Sequence, residues 1–194
     1  MSIYDLWGMI LAGGRVAAPD EKHSKDPEKW YALIEKAGVT IWNSVPAILE
    51  MLLAWSGEKQ EIRTVRLVIS GGDFLSPELS RNVLDKMSEP VLVNVGGPTE
   101  TTLWNIYHIV TEEDIASGLI PYGKPIDNTR YYILNEKNEM APVGVVGTMH
   151  CAGVGVTKGY LNDPDTTSKK YFVLPETGER VYNTGDLGKY DEKR

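Results

Sequence analysis

The sequence predicts an α/β chain: a largely parallel sheet with flanking helices, followed by a small β-rich subdomain of the distorted-barrel kind. Three observations predict it. Short β-branched runs alternate with helix-length apolar patterns up to about Tyr107, the order of a parallel sheet built from strand–helix units. The polar and glycine-rich segments Asn43-Ser44, Ser70 to Asp73 and Asn94 to Thr102 each follow a strand directly. Beyond that point short strands alternate with turn residues, the texture of a small barrel or sandwich. The boundary is placed between about 110 and 125, with 1–115 as the α/β subdomain and 116–194 as the β-rich one.

The elements follow in order. Ile3, Leu6, Trp7, Ile10 and Leu11 recur at helical spacing and stop at Gly13-Gly14. Arg15 to Ala18 is short enough for a strand, and Asp20 to Asp26 is a charged connection. Asp26 as N-cap and Pro27 in the first turn open a helix that ends at Ala37-Gly38. Val39 to Trp42 reads as a buried strand, Pro46 to Trp55 as a helix, and Leu67 to Ile69 as the next strand. Ser76-Pro77-Glu78 opens a helix to about Met87, and Val91 to Val93 is the strand before the Asn94 loop. Thr111 to Asp114 is read as a solvated acidic connection, and Ile120 to Pro125 is broken by turn residues. Strands are expected at Arg130 to Leu134, Val145 to Cys151 and Arg180 to Tyr182, with a short helix from Asp163-Pro164 to Tyr171.

Composition excludes several classes of function. The net charge of −7, with acidic and basic residues mixed, leaves no basic patch for nucleic acid or an anionic membrane. Cys151 is the single cysteine, so neither an internal disulfide nor a cysteine metal site is expected. No apolar run approaches the roughly 20 residues that span a bilayer. No secretory signal is read at the N-terminus, and a cytoplasmic protein is expected.

The segment with the most chemistry is Asn94-Val95-Gly96-Gly97-Pro98-Thr99-Glu100-Thr101-Thr102. Glycines and a proline set a tight backbone path, and hydroxyls and a carboxylate are presented together. Bared amides and hydroxyls suit phosphate oxygens, and a neighbouring carboxylate suits the Mg²⁺ that accompanies a nucleotide. The carboxyl ends of parallel strands lie along one sheet edge, where open α/β sheets bind ligands. Asp186, after Gly185 at a strand end, can accept both hydroxyls of a ribose; it can equally be a turn aspartate bonded to its own backbone.

Together these segments resemble the adenylation domains of nonribosomal peptide synthetases, within the wider adenylate-forming enzymes. Asn94 to Glu100 matches the Asn-x-(Tyr/Gly)-Gly-Pro-Thr-Glu core, and Gly147 to Leu161 matches the Gly-Glu-Leu-x-Ile-x-Gly-x-Gly-x-Ala-x-Gly-Tyr-Leu segment. Tyr182 to Leu187 matches Tyr-(Arg/Lys)-Thr-Gly-Asp-Leu, and Ile69 to Asp73 resembles the Gly-Gly-(Glu/Asp) adenine loop. The resemblance implies that Thr99 contacts the ATP phosphates and Glu100 binds Mg²⁺, these two being the catalytic pair. Gly72, Asp73, Asn94, Gly96 and Gly97 are implied around the adenine and phosphates, and Asp186 at the ribose. The implied reaction is attack of an amino-acid carboxylate on the α-phosphate of ATP, giving an aminoacyl-adenylate and pyrophosphate. The aminoacyl group would pass to the phosphopantetheine thiol of a partner carrier domain.

The resemblance also places the amino-acid pocket at Met1, Tyr4, Asn43, Ile69, Gly71, Val95, Leu103 and Trp104. Tyr4, Asn43 and Trp104 look most like domains paired with heterocyclisation modules, which usually activate cysteine; glycine or another small amino acid stays open. Aromatic packing is the alternative role of Tyr4, Trp42 and Trp104. The family's Gly/Ser/Thr-rich phosphate loop with its lysine, the aspartate that holds the substrate amino group, and the C-terminal lid with its lysine have no counterpart in these 194 residues. Turnover by this stretch alone is therefore not expected. Thr148 stands where the family has glutamate, and Gly96 where an aromatic often stacks on adenine. An acyl- or aryl-acid ligase, or a non-catalytic binding protein retaining the fold, are the alternatives.

Overall fold

The N-terminal helical stretch is a π-helical turn, Tyr4–Gly8, continued as α1 (Met9–Leu11), after which Gly13 turns the chain at φ 73°. The computed structural model describes residues 3–57 and 61–192. In α2 (Pro27–Ala37) the Asp26 carboxylate accepts hydrogen bonds from the amides of Glu28 and Lys29 at 3.1 and 3.3 Å. These satisfy two of the donors that a helix start leaves unpaired. Gly38 ends the helix at φ 60°, a left-handed position that glycine adopts without steric cost. Next come β1 (Ile41–Ser44), α3 (Pro46–Ser56), β2 (Leu67–Gly71), α4 (Pro77–Lys86) and β3 (Val91–Gly96). They are followed by β4 (Ile106–Ile109), α5 (Glu112–Ser117) and β5 (Lys124–Pro125).

These strands form one sheet in the order β1-β2-β3-β4-β5, and β1, β2 and β3 run parallel. Trp30 and Ile34 of α2, Leu49, Leu52 and Leu53 of α3 and Leu79 and Val83 of α4 pack with Val68 and Leu92 of the sheet into one core. The acidic connection read at Thr111 to Asp114 is instead the start of α5. Thr111 and Asp114 form a reciprocal capping box, each side chain bonding the other's backbone amide, and that pairing turns a solvated stretch into a helix.

The remaining elements are β6 (Thr129–Leu134), β7 (Gly147–Gly153), α6 (Pro164–Lys170), β8 (Tyr171–Val173) and β9 (Arg180–Gly188). Their strands pair antiparallel in the order β6-β7-β9-β8. β8 has no counterpart among the strands expected from sequence, because Tyr171 to Val173 is too short to show a period. Leu134, Ala152, Leu174 and Val181 form one small core here, and Tyr131, Ile133, Met149 and Cys151 another.

The chain divides into two units, Met1–Gly96 with Tyr107–Lys124 and Gly97–Ile106 with Pro125–Arg194. The division cuts the Asn94 loop between its two glycines, whereas the sequence reading keeps 1–115 together. Hydrogen bonding explains the difference. Thr102 Oγ1 donates to the Gly155 carbonyl at 2.7 Å, and the Thr157 amide donates to the Glu100 carbonyl at 2.9 Å. Asn105 Nδ2 donates to Cys151 Sγ at 3.2 Å. Val110 and Ile120, in turn, pack into the core of the first unit.

Candidate functional site

In the first unit the sheet itself sorts the candidate residues. The register sets Asn43 beside Ile69 and Ile69 beside Val93, then Gly71 beside Val95. One step along the strands, Ser44 lies beside Ser70 and Ser70 beside Asn94. Successive side chains in a strand point to opposite faces. Asn43, Ile69, Gly71 and Val95 therefore share one face, and Asn94 and Gly96 share the other. All of these residues belong to strands, so β1, β2 and β3 run further than the apolar runs alone predict. Ladder pairing with a neighbouring strand holds polar and glycine residues in extended form whatever their intrinsic preference.

On the first of these faces Asn43 Nδ2 donates to Asp5 Oδ1 at 2.5 Å, while Asn43 Oδ1 is buried with no hydrogen-bond partner. Tyr4, one residue before Asp5, is half-buried. Gly71 has no room for a side chain, since a Cβ there would sit 2.1 Å from the Val95 carbonyl oxygen. Met1 lies outside the described residues. On the second face Asn94 is buried and its Nδ2 donates to the Pro121 carbonyl at 3.0 Å. Beyond β2, Gly72 turns at φ 86°, and the exposed Asp73 accepts from the amide of Phe74 at 2.7 Å.

In the second unit the loop continues from Gly97, at φ 146°, where a Cβ would lie 2.4 Å from the Leu103 carbonyl oxygen. Thr99–Thr101 is a 3-10 turn; Thr99 is exposed and Thr101 is buried, donating to the Pro98 carbonyl at 2.8 Å. Thr102 ends the turn at φ 82°, a strained position for a β-branched residue. Leu103 and Trp104 are half-buried.

Glu100 is held by tyrosines. Tyr160 donates its phenolic proton to Glu100 Oε1 at 2.6 Å, and the Tyr160 and Tyr182 hydroxyls are 3.4 Å apart. Burial opposes ionisation of Glu100, but hydrogen bonds from Tyr160, its own amide and Tyr182, with the charge of Lys170, outweigh it. Its carboxyl is thus held below the usual range and stays ionised at neutral pH. Burial, then Tyr160 and Glu100, push the Tyr182 phenol far above its ordinary value, so it remains protonated. The role of Tyr160 was not legible beforehand. It falls in the Gly147 to Leu161 match, but 60 residues separate it from Glu100 and nothing local pairs the two.

Asp186 lies on β9 rather than in a loop after it. Between the pairs Thr148–Leu187 and His150–Asn183 the ladder shifts register, so Thr184, Gly185 and Asp186 bow out as a bulge. Thr184 Oγ1 donates to the Met149 carbonyl at 2.9 Å and accepts from the Asp186 amide at 3.0 Å. The bulge leaves Asp186 exposed.

The first unit is thus an open α/β sheet with buried amides, glycines and hydroxyls at its carboxyl edge, the arrangement in which such sheets bind small ligands. Residues 1–161 match the family of AMP-binding enzymes, and the chain belongs to that family, corresponding to part of an adenylation domain of the nonribosomal peptide synthetase type. Pyochelin synthetase PchF of Pseudomonas aeruginosa is 33% identical over 192 residues, 98% of this chain and 11% of that protein. Bacitracin synthase 1 of Bacillus licheniformis is 34% identical over 190 residues, 97% of this chain and 4% of that one. The crystal structure of the nonribosomal peptide synthetase FmoA3 in its alpha-methyl-L-serine-AMP bound form matches with a TM-score of 0.91 and 38% identity, over 97% of this chain and 22% of that one. A four-domain synthetase, AB3403, bound to AMP and glycine, matches at 0.82 and 29%, over 92% of this chain and 13% of that one. The chain therefore spans only a small part of each relative. No helix among the described residues is long and apolar enough to cross a membrane.

Proposed function

We propose that this chain supplies the amino-acid face and much of the nucleotide face of a cytoplasmic ligase that activates an amino acid as its aminoacyl-adenylate. What supports this is the register of β1, β2 and β3, with Asn43, Ile69, Gly71 and Val95 on one face and Asn94 and Gly96 on the other. On the amino-acid side, the unpartnered Asn43 Oδ1 accepts a hydrogen bond from the substrate, with Tyr4 of the same unit as a further substrate contact; Leu103 and Trp104 are the substrate contacts of the second unit. Cysteine is the substrate we favour. The ligands named for FmoA3 and AB3403, alpha-methyl-L-serine-AMP and glycine, are likewise small.

On the nucleotide side, Gly72, Asp73, Asn94 and Gly96 are the adenine and phosphate contacts of the first unit; in the second unit Gly97 and Thr99 are phosphate contacts, Thr99 donating to a phosphate oxygen, and Asp186 accepts from the ribose. Among the described residues there is no group of three or more His, Cys, Asp or Glu that could hold a metal. Glu100, ionised and oriented by Tyr160, fits the single protein ligand that a nucleotide-borne Mg²⁺ takes. Mg²⁺, held there by Glu100, would supply neutralisation of phosphate charge. The aminoacyl group then passes from the adenylate to the phosphopantetheine thiol of a carrier domain, forming a thioester as the bond to AMP breaks and AMP leaves, with a heterocyclisation domain as the neighbouring partner.

The test is amino-acid-dependent ATP–pyrophosphate exchange in a protein where these residues lie within a complete adenylation domain. Exchange stimulated by cysteine above glycine, serine and aryl acids, and lost in Glu100→Ala, is the expected result. Exchange driven by aryl acids, or unaffected by Glu100→Ala at limiting Mg²⁺, overturns it.

A further inference from the structure

Gly96 has no side chain, yet the space beside its Cα is filled. A Cβ built there would lie 2.1 Å from Cζ and from the hydroxyl of Tyr122, and 2.2 Å from its Cε2. An aromatic ring from a distant point in the sequence thus occupies the side-chain position that Gly96 vacates.

The ring is brought there by a firmly held segment of the same unit. Ile120 is buried in the helix-covered core. The Pro121 carbonyl accepts from Asn94 Nδ2 at 3.0 Å, and Asn94 shares its sheet face with Gly96. On the other side Gly123 sits at φ 106°, and a Cβ there would come within 1.9 Å of the Tyr107 carbonyl oxygen, so its backbone lies directly against β4. Tyr122 itself keeps 37% of its surface exposed, more than a ring serving only to fill the core would.

From this juxtaposition we infer that Tyr122 is the residue on which the nucleobase stacks. The inference rests on the proposed nucleotide side of the site at Gly72, Asp73 and Asn94. A planar ring beside bare glycine backbone, with part of its surface exposed, offers a purine its π-face. Gly96 is then a necessity of this arrangement, because any side chain there would displace the ring.

The experiment titrates the ¹⁵N-labelled 194-residue chain with AMP, and separately with ribose 5-phosphate, following backbone amide shifts. Tyr122→Leu should weaken AMP binding about 5- to 150-fold, the range of one base–aromatic contact, and leave ribose 5-phosphate binding unchanged. Tyr122→Phe should bind AMP as the wild type does. If Tyr122→Leu fails to fold, nuclear Overhauser contacts between the Tyr122 ring protons and adenine H2 or H8 in the wild-type complex decide the matter, and their absence overturns the inference. Unchanged AMP affinity in Tyr122→Leu also overturns it while leaving the nucleotide site standing. If neither ligand shifts the amides of Gly72, Asp73 and Asn94 in the wild type, the nucleotide-site reading fails and this inference falls with it.

Discussion

Tyr160 donates a 2.6 Å hydrogen bond to Glu100 across 60 residues of sequence, and Tyr182 stands 3.4 Å behind it. The pair holds a half-buried carboxylate ionised. Tyr160→Phe removes the donor and leaves the ring, so the Glu100 pKa should rise toward the ordinary carboxylate value. Carboxyl ¹³C titration of Glu100 in both proteins measures this. The sign for stability follows. Because the folded-state pKa is lowered, the stabilisation is present above the unfolded-state pKa and is lost as pH falls through the folded one. Tyr160→Phe should therefore narrow that acid-side dependence, and an unchanged titration would remove Tyr160 from its orienting role.

Gly97 and Gly38 both have positive φ, but they should respond differently to alanine. At Gly38 nothing lies within 4 Å of an added Cβ, so Gly38→Ala costs about 1–2 kcal/mol from the left-handed backbone alone. At Gly97 the Cβ would also lie 2.4 Å from the Leu103 carbonyl oxygen and 2.8 Å from Asn105 Oδ1. Gly97→Ala should cost at least about 3 kcal/mol or prevent folding. Urea unfolding of the two variants gives the comparison, and equal losses would mean that the close approach at Gly97 carries no energy.

Asp114 caps α5 through the Thr111 amide and meets His108 Nε2 at 2.8 Å. Burial raises its pKa, but the bonds from His108 and Thr111 outweigh this and hold it below the usual range. Its contribution is complete above the unfolded-state value, about 3.9, and disappears as pH falls through the folded-state one. Asp114→Asn should destabilise the chain near neutrality by about 1 kcal/mol, with the gap to wild type closing below about pH 4. Thermal unfolding across that range checks it.

Burial pushes the Cys151 thiol up to about 11, against the bond from Tyr131, and the residue is fully enclosed. The thiolate is the reactive form, so Cys151 should resist iodoacetamide at pH 8 in the native chain and react fully in urea. Mass spectrometry reads the result. Asn105 links it to Tyr131, donating to Cys151 Sγ at 3.2 Å and accepting from the Tyr131 hydroxyl at 2.6 Å. Asn105→Leu removes both of these buried hydrogen bonds, and labelling of the native variant should speed up as local opening becomes easier.

Much of this molecule follows from local pattern. Asp26 and Ser76 cap their helices as their positions before Pro27 and Pro77 imply, and the alternation of apolar runs with helices yields the parallel β1, β2 and β3. The capping box at Thr111 and Asp114 was equally local and could have been read; the acidic composition masked it. By itself, then, the sequence determined the order α2, β1, α3, β2, α4, β3, the strand-end placement of the glycines and hydroxyls, and the family, because each depends on residues near one another in the chain; the strand read at Arg15 to Ala18 does not form. Tertiary structure alone decided three things: that the strands extend through Ser44, Gly71 and Gly96, that Tyr160 orients Glu100, and that Tyr122 fills the place beside Gly96. Each depends on ladder pairing, hydrogen bonding or packing between residues far apart in sequence, and that proximity exists only once the chain has folded.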